Sequence, residues 1–497
     1  MLGTPRTLIG LAVAAICSAM LLSSSVVAQD APAFIVLYGT NAIPTNASAA
    51  IATSGGTIVA AYDAIGVVVA RSASATFRSQ MLTQTGVVGV AATEGLGVRL
   101  GSAADEDIAA APISTPASDS DTLSGLQWDM RQIHTPEAHA ITGGSPTVVV
   151  GDLDSGLDYT HPDLAPNVDF GKSVSCVGGV PDQNPAAWDD TDGHGTHTAG
   201  TIAAASNGIG IVGVAPHVRI AGVKVGNADG FFYPEAVVCA FMWAATHHFD
   251  VVNNSYFADP WLFNCRNDPA QRAIWEAERR AIRYAMSQGV TVVASAGNEN
   301  FNLAKSNTDT ISPDDTTPVT REVNNACAIV PGEIPGVITV SANGNLQQKS
   351  YYSSYGVGVV ELVAPGGDRR FQVTSAAPNG RVLSTYPAAF FNPTSSLFVR
   401  DCSVSPCAVY AYLQGTSMAA PHVTGVAALA ISQFGKMSPG AVASILTATA
   451  DATACPPNPF DPGGTGSFIA TCTGGKGYNG FYGFGQVNAL TAVTVTR

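Results

Sequence analysis

The sequence is poor in charged residues, and basic residues are the scarcer kind. Only 12% of its 497 residues are Asp, Glu, Lys or Arg, while 46% are hydrophobic. The formal net charge is −14, from 23 basic and 37 acidic residues. A surface with so little positive charge repels a phosphate backbone, so we expect no nucleic-acid partner. The hydrophobic fraction argues against extensive disorder and favours a large buried core.

Zinc motifs and repeats are missing as well. The sequence contains no CxxC pair, no Cys/His cluster with zinc spacing and no HExxH stretch. Structural zinc sites and zinc-peptidase helices rely on these patterns. We therefore expect no zinc centre. The sequence also has no internal repeat, so we expect no repeat architecture.

An apolar run at the N-terminus has the layout of a secretory signal. Residues 8–22 follow Arg6 and lead into Val26-Val27-Ala28. A cation, a short apolar run and small residues together predict cleavage after Ala28. An uncleaved membrane anchor is the alternative, but the run is short for a span of about 20 residues. We expect a secreted protein with no membrane segment once residues 1–28 are removed.

Eight of the nine cysteines lie beyond this run, which holds Cys17. An even number of cysteines in an exported chain suggests disulfide bonds. The close pairs Cys402/Cys407 and Cys455/Cys472 could each close a local loop, and Cys265/Cys327 is a third candidate. Spacing alone leaves the connectivity open. Cys239 lies in the apolar stretch AVVCAFMWAA, where a buried free thiol is the alternative.

Composition divides the remaining chain into three parts. Residues 29–101 contain short apolar runs typical of a small α+β unit. Residues 102–122 are rich in Ala, Ser, Asp and Pro, which is typical of an exposed, protease-accessible linker. Residues 123–497 alternate wholly apolar strands, such as 147–151 and 290–295, with helices such as 269–288. This pattern predicts a doubly wound α/β domain with a mainly parallel sheet and helices on both faces.

Four short motifs in the last part carry polar residues at the ends of strands or helices. Asp154 follows a strand in VVVGDLDSG, and His194 stands between glycines in TDGHGTHTAG. Asn298 ends a strand in VVASAGNEN, and Ser417 opens a helix in QGTSMAAPHVTG. Each residue alone is more often a turn former or a helix cap than a catalytic group. Four such motifs in one chain favour a shared site at the carboxyl edge of the sheet.

The motifs DSG, HGTHTAGT, SAGN and GTSMAAPHVTG, in this order, resemble those of the subtilisin-like serine proteases, the peptidase S8 family. The similarity extends from about residue 125 to the C-terminus. It implies Ser417 as nucleophile, His194 as general base and then acid, and Asp154 as the group that orients His194. Asn298 and the Ser417 amide would form the oxyanion hole. Residues 29–101 resemble the family's inhibitor I9-like propeptide through FIVLYG and VVGV.

The resemblance also implies a peptide cleft and a calcium site. The stretch NNSYF replaces the family's usual Ser-Leu-Gly, so Phe257 stands where a glycine commonly lies under the substrate. The implied cleft residues are Gly230, Phe231, Ser255, Tyr256, Phe257 and Gly297. A structural Ca²⁺ would take oxygen ligands from Asp163, Ala205, Asn207, Ile209 and Ile211. The site's N-terminal side-chain ligand is not identifiable in the sequence.

These observations predict a secreted, monomeric serine endopeptidase that forms an acyl-enzyme and processes its own proprotein. Its expected partners are protein or peptide substrates and its own propeptide, acting as an intramolecular inhibitor. A peptide-binding pseudoprotease is the alternative, although all four catalytic positions are filled. A lipase of the α/β-hydrolase type requires G-x-S-x-G and a serine that precedes the acid and the histidine, neither of which occurs here.

Overall fold

The computed structural model describes residues 31–93 and 116–496. The predicted signal segment, and most of the predicted linker, lie outside these described residues. In the two described ranges, no helix combines the length and apolarity needed to cross a membrane.

Residues 33–92 form a four-stranded antiparallel sheet with two short helices. The strand order is β2-β3-β1-β4. Val36 and Val68 point to the face that α1 and α2 cover with Ile51 and Phe77. The elements are β1 (Ala33–Tyr38), α1 (Ala47–Thr53), β2 (Thr57–Tyr62), β3 (Val67–Arg71), α2 (Phe77–Met81) and β4 (Val87–Ala92). An α+β unit was expected in this region.

Residues 116–496 contain the larger α/β domain. Its helices are α3 (Trp128–Gln132), α4 (Thr135–His139), α5 (Pro185–Trp188), α6 (His194–Ala203), α7 (Pro234–Thr246), α8 (Pro269–Ser287), α9 (Thr416–Phe434), α10 (Pro439–Ala448) and α11 (Ala489–Thr494). Its strands are β5 (Val149–Asp154), β6 (Val174–Ser175), β7 (Arg219–Lys224), β8 (Val251–Asn254), β9 (Asn264–Cys265), β10 (Thr291–Ser295), β11 (Asn307–Asp309), β12 (Arg321–Val323), β13 (Cys327–Ala328), β14 (Ile338–Asn343), β15 (Leu362–Pro365), β16 (Val382–Thr385), β17 (Phe398–Asp401), β18 (Ala408–Leu413), β19 (Gly474–Gly475) and β20 (Tyr478–Asn479).

A seven-stranded sheet organises this domain. Its order is β15-β14-β10-β8-β5-β7-β6, and every neighbouring pair is parallel. β5 lies near the centre, where its neighbours β7 and β8 both come later in the chain. The order reverses at this point, and open α/β sheets place their sites there, at the carboxyl ends of the strands. The predicted doubly wound α/β fold is confirmed.

Helices cover both faces of the sheet because successive side chains of a strand point to opposite sides. Val150 and Val293 lie in the core that α6 and α9 share. Val149 and Val292 lie in the core on the other face, with α7 and α8. Burial on both faces explains why these strands are apolar throughout.

Helix α8 shows how local sequence sets an element's bounds. The Asp268 carboxylate accepts hydrogen bonds from the amides of Ala270 (2.7 Å) and Gln271 (2.9 Å). Pro269 occupies the first turn, where its missing N–H costs no hydrogen bond. The helix ends at Ser287, and Gly289 follows with a φ of 96°. The predicted helix over 269–288 agrees to within one residue.

The N-terminal sheet lies against α7 and α8. Its side chains Ile35, Leu37 and Val67 belong to the same apolar core as both helices. A Cβ placed on Gly89 would lie 2.8 Å from the Ala273 side chain, so the sheet approaches α8 closely. Arg280 on α8 donates hydrogen bonds to the carbonyls of Tyr38 (2.9 Å) and Ile65 (3.0 Å). Apolar packing and the hydrogen bonds of a partly buried guanidinium therefore both hold the unit in place.

Four disulfide bonds link the larger domain. The three candidate pairs from the sequence all form, and Cys239 is bonded to Cys176 rather than free. The Cys176–Cys239 bond joins the end of β6 to α7 across 63 residues. The Cys402–Cys407 bond closes a loop of only 5 residues between β17 and β18.

These two disulfides should differ in their effect on stability. A longer closed loop restricts the unfolded chain more, by about 4 kcal/mol for the first bond and about 2 kcal/mol for the second. We expect Cys176→Ala/Cys239→Ala to lower the free energy of unfolding by more than Cys402→Ala/Cys407→Ala. Urea denaturation in a Ser417→Ala background, which avoids self-digestion, measures the difference. An equal or larger loss from the five-residue loop would contradict the expectation.

Candidate active site

Asp154 is the last residue of β5 and is fully buried. Its Oδ1 accepts hydrogen bonds from His194 Nδ1 and from the Ser155 amide, both at 2.7 Å. Asp152 lies two residues earlier and bonds to Thr198 and Asn253. Burial, and the Asp154 carboxylate beside it, raise the pKa of Asp152 well above its usual value.

The loop before His194 is held by one buried carboxylate. Asp190 accepts five hydrogen bonds, from the Ser155 hydroxyl, the Asp192 and Gly193 amides, and the amide and hydroxyl of Thr196. These donors come from both sides of the loop, so the loop has little freedom to move. The start of α6 is thereby fixed against the end of β5.

Close packing explains the glycine that follows His194. A Cβ placed on Gly195 would lie 2.2 Å from the Gly156 carbonyl oxygen and 3.2 Å from the Asp154 side chain. Any larger residue would push α6 away from β5. The glycine therefore permits the short distance between His194 and Asp154.

The electrostatic surroundings of His194 favour its charged form. Partial burial lowers the pKa of His194, but the carboxylates of Asp154, Asp192 and Asp152 together raise it to about 9. The side chain is 27% exposed, so water screens part of this effect. The imidazole is a stronger base here than a free histidine.

Ser417 is the second residue of α9. Its hydroxyl donates to the Ser255 carbonyl (3.0 Å), and the Ser255 hydroxyl donates to the Ser417 carbonyl (2.9 Å). Pro421 has no N–H to bond the Ser417 carbonyl within the helix, so that carbonyl is free for Ser255. Between described residues, the structure gives no hydrogen bond from Ser417 Oγ to His194, yet both side chains line one cavity.

Asn298 faces the same cavity, with its amide orientation set by Thr416. The Thr416 amide and hydroxyl donate to Asn298 Oδ1 at 2.9 and 3.0 Å. The Thr416 hydroxyl in turn accepts from the Gly297 amide at 3.1 Å. With Oδ1 bonded in this way, the Nδ2 donor is left for the cavity. The Ser417 amide lies in the first turn of α9, where N–H groups have no partner within the helix.

All six cleft residues expected from the sequence line this cavity, together with His194, Asn298 and Ser417. Tyr256 stacks on Phe232, with ring centroids 4.5 Å apart and planes 6° apart. Phe257, at the position where the resemblance noted in the sequence implies a glycine, packs against a core that includes Leu262 and Ile329. The substitution therefore extends an apolar wall of the cleft.

Sequence reasoning missed four acidic residues that line the cleft, namely Asp192, Asp259, Glu299 and Asp314. Asp192 and Glu299 adjoin recognised motifs, so their positions could have been inferred from the neighbouring His194 and Asn298. Asp259 and Asp314 lie in loops that no motif marks. Only the folded chain brings these two together.

The expected calcium region surrounds Asp163. Its Oδ2 accepts from the Ile211 amide and the Tyr410 hydroxyl, both at 3.0 Å. Its Oδ1 is buried and has no hydrogen-bond donor among the described residues. The Asn207 side-chain oxygen accepts from the Ile209 amide at 2.9 Å. The Ala205 amide donates to the Asp163 carbonyl at 2.7 Å, which holds the loop beside the carboxylate.

Two further carboxylates reach this loop, and the sequence did not identify them. Asp121 accepts from the amides of Asn207 and Gly208, both at 2.9 Å. Asp401 accepts from the Gly210 amide at 2.9 Å. Burial, and the charges of Asp121 and Asp401, raise the pKa of Asp163.

These residues fit an oxygen-coordinated cation. The described residues contain no cluster of three or more His, Cys, Asp and Glu side chains with metal-binding geometry. The implied site instead uses one carboxylate, one amide and main-chain carbonyls, a donor set that Ca²⁺ accepts. In the described part of the chain, no Lys or Arg forms an ion pair with Asp163, Asp121 or Asp401. The unpaired Asp163 oxygen and the uncompensated negative charge both favour a cation.

Comparisons with known proteins agree with this geometry. The Subtilase family model, peptidase S8, matches residues 145–485. Subtilisin BL from Lederbergia lenta is 33% identical over 306 residues, which cover 61% of this chain and 83% of that protein. Fervidolysin from Fervidobacterium pennivorans is 30% identical over 345 residues, which cover 68% of this chain and 42% of that protein.

A solved structure extends the likeness to nearly the whole chain. The epidermin leader peptide processing serine protease from Staphylococcus aureus superposes with a TM-score of 0.68. The superposition covers 94% of this chain and 99% of that one, at 19% sequence identity. At this identity the likeness shows the fold.

The raised pKa of His194 has a kinetic consequence. A general base acts as the neutral imidazole, so protonation below the pKa removes activity. We expect kcat/KM for peptide hydrolysis to rise with pH, with the rise centred near pH 9. Asp192→Asn removes one of the carboxylates that raise this pKa and should move the rise to lower pH.

The control is Glu322→Gln, which changes an exposed acid on β12 and should leave the pH profile unchanged. A wild-type rise centred near the ordinary histidine pKa of about 6.5 would contradict this assignment. A profile unaffected by Asp192→Asn would contradict it as well.

Proposed function

The chain belongs to the subtilase family of serine endopeptidases, and we propose that it is an exported, self-processing member with Asp154, His194 and Ser417 as its catalytic triad. The observation that carries this proposal is the 2.7 Å bond from His194 Nδ1 to buried Asp154, beside a cavity that Ser417 also lines. In acyl-transfer enzymes of this kind, an acid orients a histidine, and the histidine activates a neighbouring serine.

In the proposed mechanism, His194 Nε2 takes the proton of Ser417 Oγ while that oxygen attacks the carbonyl carbon of the peptide bond. Rotation about the Cα–Cβ bond of Ser417 first exchanges its bond to Ser255 for one to His194. His194 then gives the proton to the departing amine, which leaves an acyl group on Ser417. Water, activated by the same imidazole, releases the acyl group and restores the serine.

The developing oxyanion would be stabilised by two donors. These are Asn298 Nδ2, oriented by the bonds from Thr416 to Oδ1, and the Ser417 amide in the first turn of α9. Both donors are fixed before the reaction, so little reorganisation is needed when charge develops. The positive end of the α9 dipole acts in the same direction.

The N-terminal unit is proposed to be a propeptide that inhibits the enzyme until it is cut off. It packs on α7 and α8, and residues 94–115 connect it to the rest of the chain. The composition of residues 102–122 supports a processing site in this connection. Export is supported by the signal pattern of residues 1–28 and by four disulfide bonds, which persist in oxidising compartments.

We also propose that Asp163, Asn207 and the main-chain carbonyls of Ala205, Ile209 and Ile211 hold a structural calcium ion. A bound ion would supply the positive charge that this acidic loop lacks. It would thereby stabilise the folded chain, because the unfolded chain has no such site.

The first experiment compares the full chain with Ser417→Ala. We expect the unaltered chain to release its N-terminal unit and to hydrolyse casein, because both reactions use the same nucleophile. The Ser417→Ala chain should remain full-length, with peptide hydrolysis reduced on the order of 10⁶-fold, as triad replacement does in subtilisin. Mass spectrometry of the product and a casein assay measure the two effects.

Ser432→Ala is the matched control, since this partly buried residue lies on the same helix and away from the cleft. Its hydroxyl donates to the carbonyl of Ala428 and accepts from the amide of Ser145. It should process and cleave normally. A fluorophosphonate probe should label Ser417 in the mature protein. Processing or casein hydrolysis that persists in Ser417→Ala would overturn the proposed triad.

The calcium proposal has a readout that does not depend on activity. In the Ser417→Ala background, calcium at 100 times its dissociation constant should stabilise the protein by about 2.7 kcal/mol relative to chelated protein. Asp163→Asn should abolish most of this difference, whereas Glu322→Gln should preserve it. Equal unfolding midpoints with calcium and with chelator would refute the site.

A further inference from the structure

We infer that Asp259 and Asp314 form a subsite of the cleft that selects peptides carrying an arginine or lysine close to the bond that is cut. This inference rests on the proposed function, since it names the substrate class of the same site. Both residues line the cavity that contains His194 and Ser417. That cavity is lined by four carboxyl groups and, among the described residues, by no lysine or arginine.

Asp259 is buried and fixed in place. It is 3% exposed, and its carboxylate accepts a hydrogen bond from the Phe232 amide. Its own amide donates to the Phe232 carbonyl at 3.0 Å. These reciprocal bonds tie Asp259 to the aromatic wall formed by Phe232 and Tyr256.

Asp314 completes the pair from another loop. Its amide donates to the Pro260 carbonyl at 3.1 Å, which holds it next to Asp259. The two carboxyl groups approach within hydrogen-bonding range, and burial together with this proximity raises the pKa of Asp259. Burial raises the pKa of Asp314 as well. Two carboxyl groups this close share a proton and retain one negative charge between them.

The pair has no cationic partner in the part of the chain that the structure describes. In residues 31–93 and 116–496, neither Asp259 nor Asp314 forms an ion pair with a lysine, arginine or histidine. Asp314 Oδ1 is buried and receives no hydrogen bond from the described residues. A buried carboxylate oxygen without a donor is costly, so this position favours a donor that arrives with the ligand.

The walls above the pair suit a long side chain with a charged end. Phe232 and Tyr256 stack with parallel rings, and Leu262 and Ile329 supply aliphatic surface beside them. The methylene groups of arginine or lysine can pack along such walls while the charged end reaches the carboxyl groups. Arginine fits better than lysine, because its planar set of five donors can serve two adjacent carboxyl groups at once.

The chain's geometry limits how far this subsite lies from the catalytic serine. Ser255 contacts Ser417 directly, and Asp259 follows it by four residues. Four extended residues span at most roughly 13 to 14 Å. A bound peptide of the same extension covers that distance with about four residues. We therefore place the selected residue within about four positions of the cleaved bond.

The test uses peptides that differ at a single position. Arginine is compared with citrulline, its neutral isostere, at each of four positions on both sides of one cleaved bond. We expect arginine to raise kcat/KM about tenfold or more at one position, the effect of a charged hydrogen bond in a desolvated site. Asp314→Asn should bring this ratio close to one, because it should lower kcat/KM for the arginine peptide far more than for the matching citrulline peptide.

The controls separate this effect from the overall charge of −14, which attracts cationic peptides at any position. Glu322→Gln removes a distant acid and should keep the preference. Asp259→Asn, which is isosteric and can still accept from Phe232, serves as a second variant if Asp314→Asn does not fold. An arginine preference of equal size at all positions, or one that survives both replacements, would overturn the inference.

Failure of the subsite can be distinguished from failure of the proposed function. If the citrulline peptides are cleaved in a Ser417-dependent manner but no position prefers arginine, the endopeptidase proposal stands and the subsite is wrong. If no peptide is cleaved, the proposed function itself fails.

Discussion

Buried carboxylates at the carboxyl end of β5 must receive hydrogen bonds, and this requirement shapes the catalytic centre. Asp152, Asp154 and Asp190 are each at most 2% exposed. Leaving any of them without donors would cost several kcal/mol, so the surrounding loops fold around them. Asp190 accepts hydrogen bonds from amides and hydroxyls on both sides of the loop before α6, and Asp154 Oδ1 accepts hydrogen bonds from His194 Nδ1 and the Ser155 amide. The orientation of the imidazole is therefore a consequence of how the fold satisfies its own buried acids.

Small residues permit the close approaches on which this arrangement depends. Gly195 lets α6 approach the end of β5, and a Cβ on Gly425 of α9 would lie 2.5 Å from Val214. Helix α9 therefore packs closely against the loop between α6 and β7. Pro421 adds a second effect, because the hydrogen bond it cannot donate is replaced by the one from Ser255. Ser417 is thereby tied to the segment that directly follows β8, and this segment lines the cleft.

The sequence predicts those features whose signal is local. Apolar strands, the cap at Asp268 and the motif around His194 each depend on neighbours within a few residues, and the corresponding elements were located to within a few positions. The partner of Cys239 was left open, because a separation of 63 residues carries no local signal. Asp121 escaped detection for the same reason, since its contact with Asn207 depends on how the segment before α3 returns to the loop. Phe257 was expected to alter the cleft, but only its packing against Leu262 shows that it lengthens a wall.

The acidic pair in the cleft contributes little to the stability of the fold itself. Asp259 alone satisfies the Phe232 amide, so the hydrogen bonds of this loop do not require a second carboxyl group. Asp314 adds a buried oxygen that has no donor among the described residues, and its proximity to Asp259 makes the two carboxyl groups share a proton. Both effects disfavour the folded state. An apolar or amide side chain at this position would avoid both costs, as replacement of buried charges often does. Local destabilisation of this kind is characteristic of binding sites, where a ligand supplies the missing interaction. The energetic balance at Asp314 therefore favours a role in recognition over one in folding.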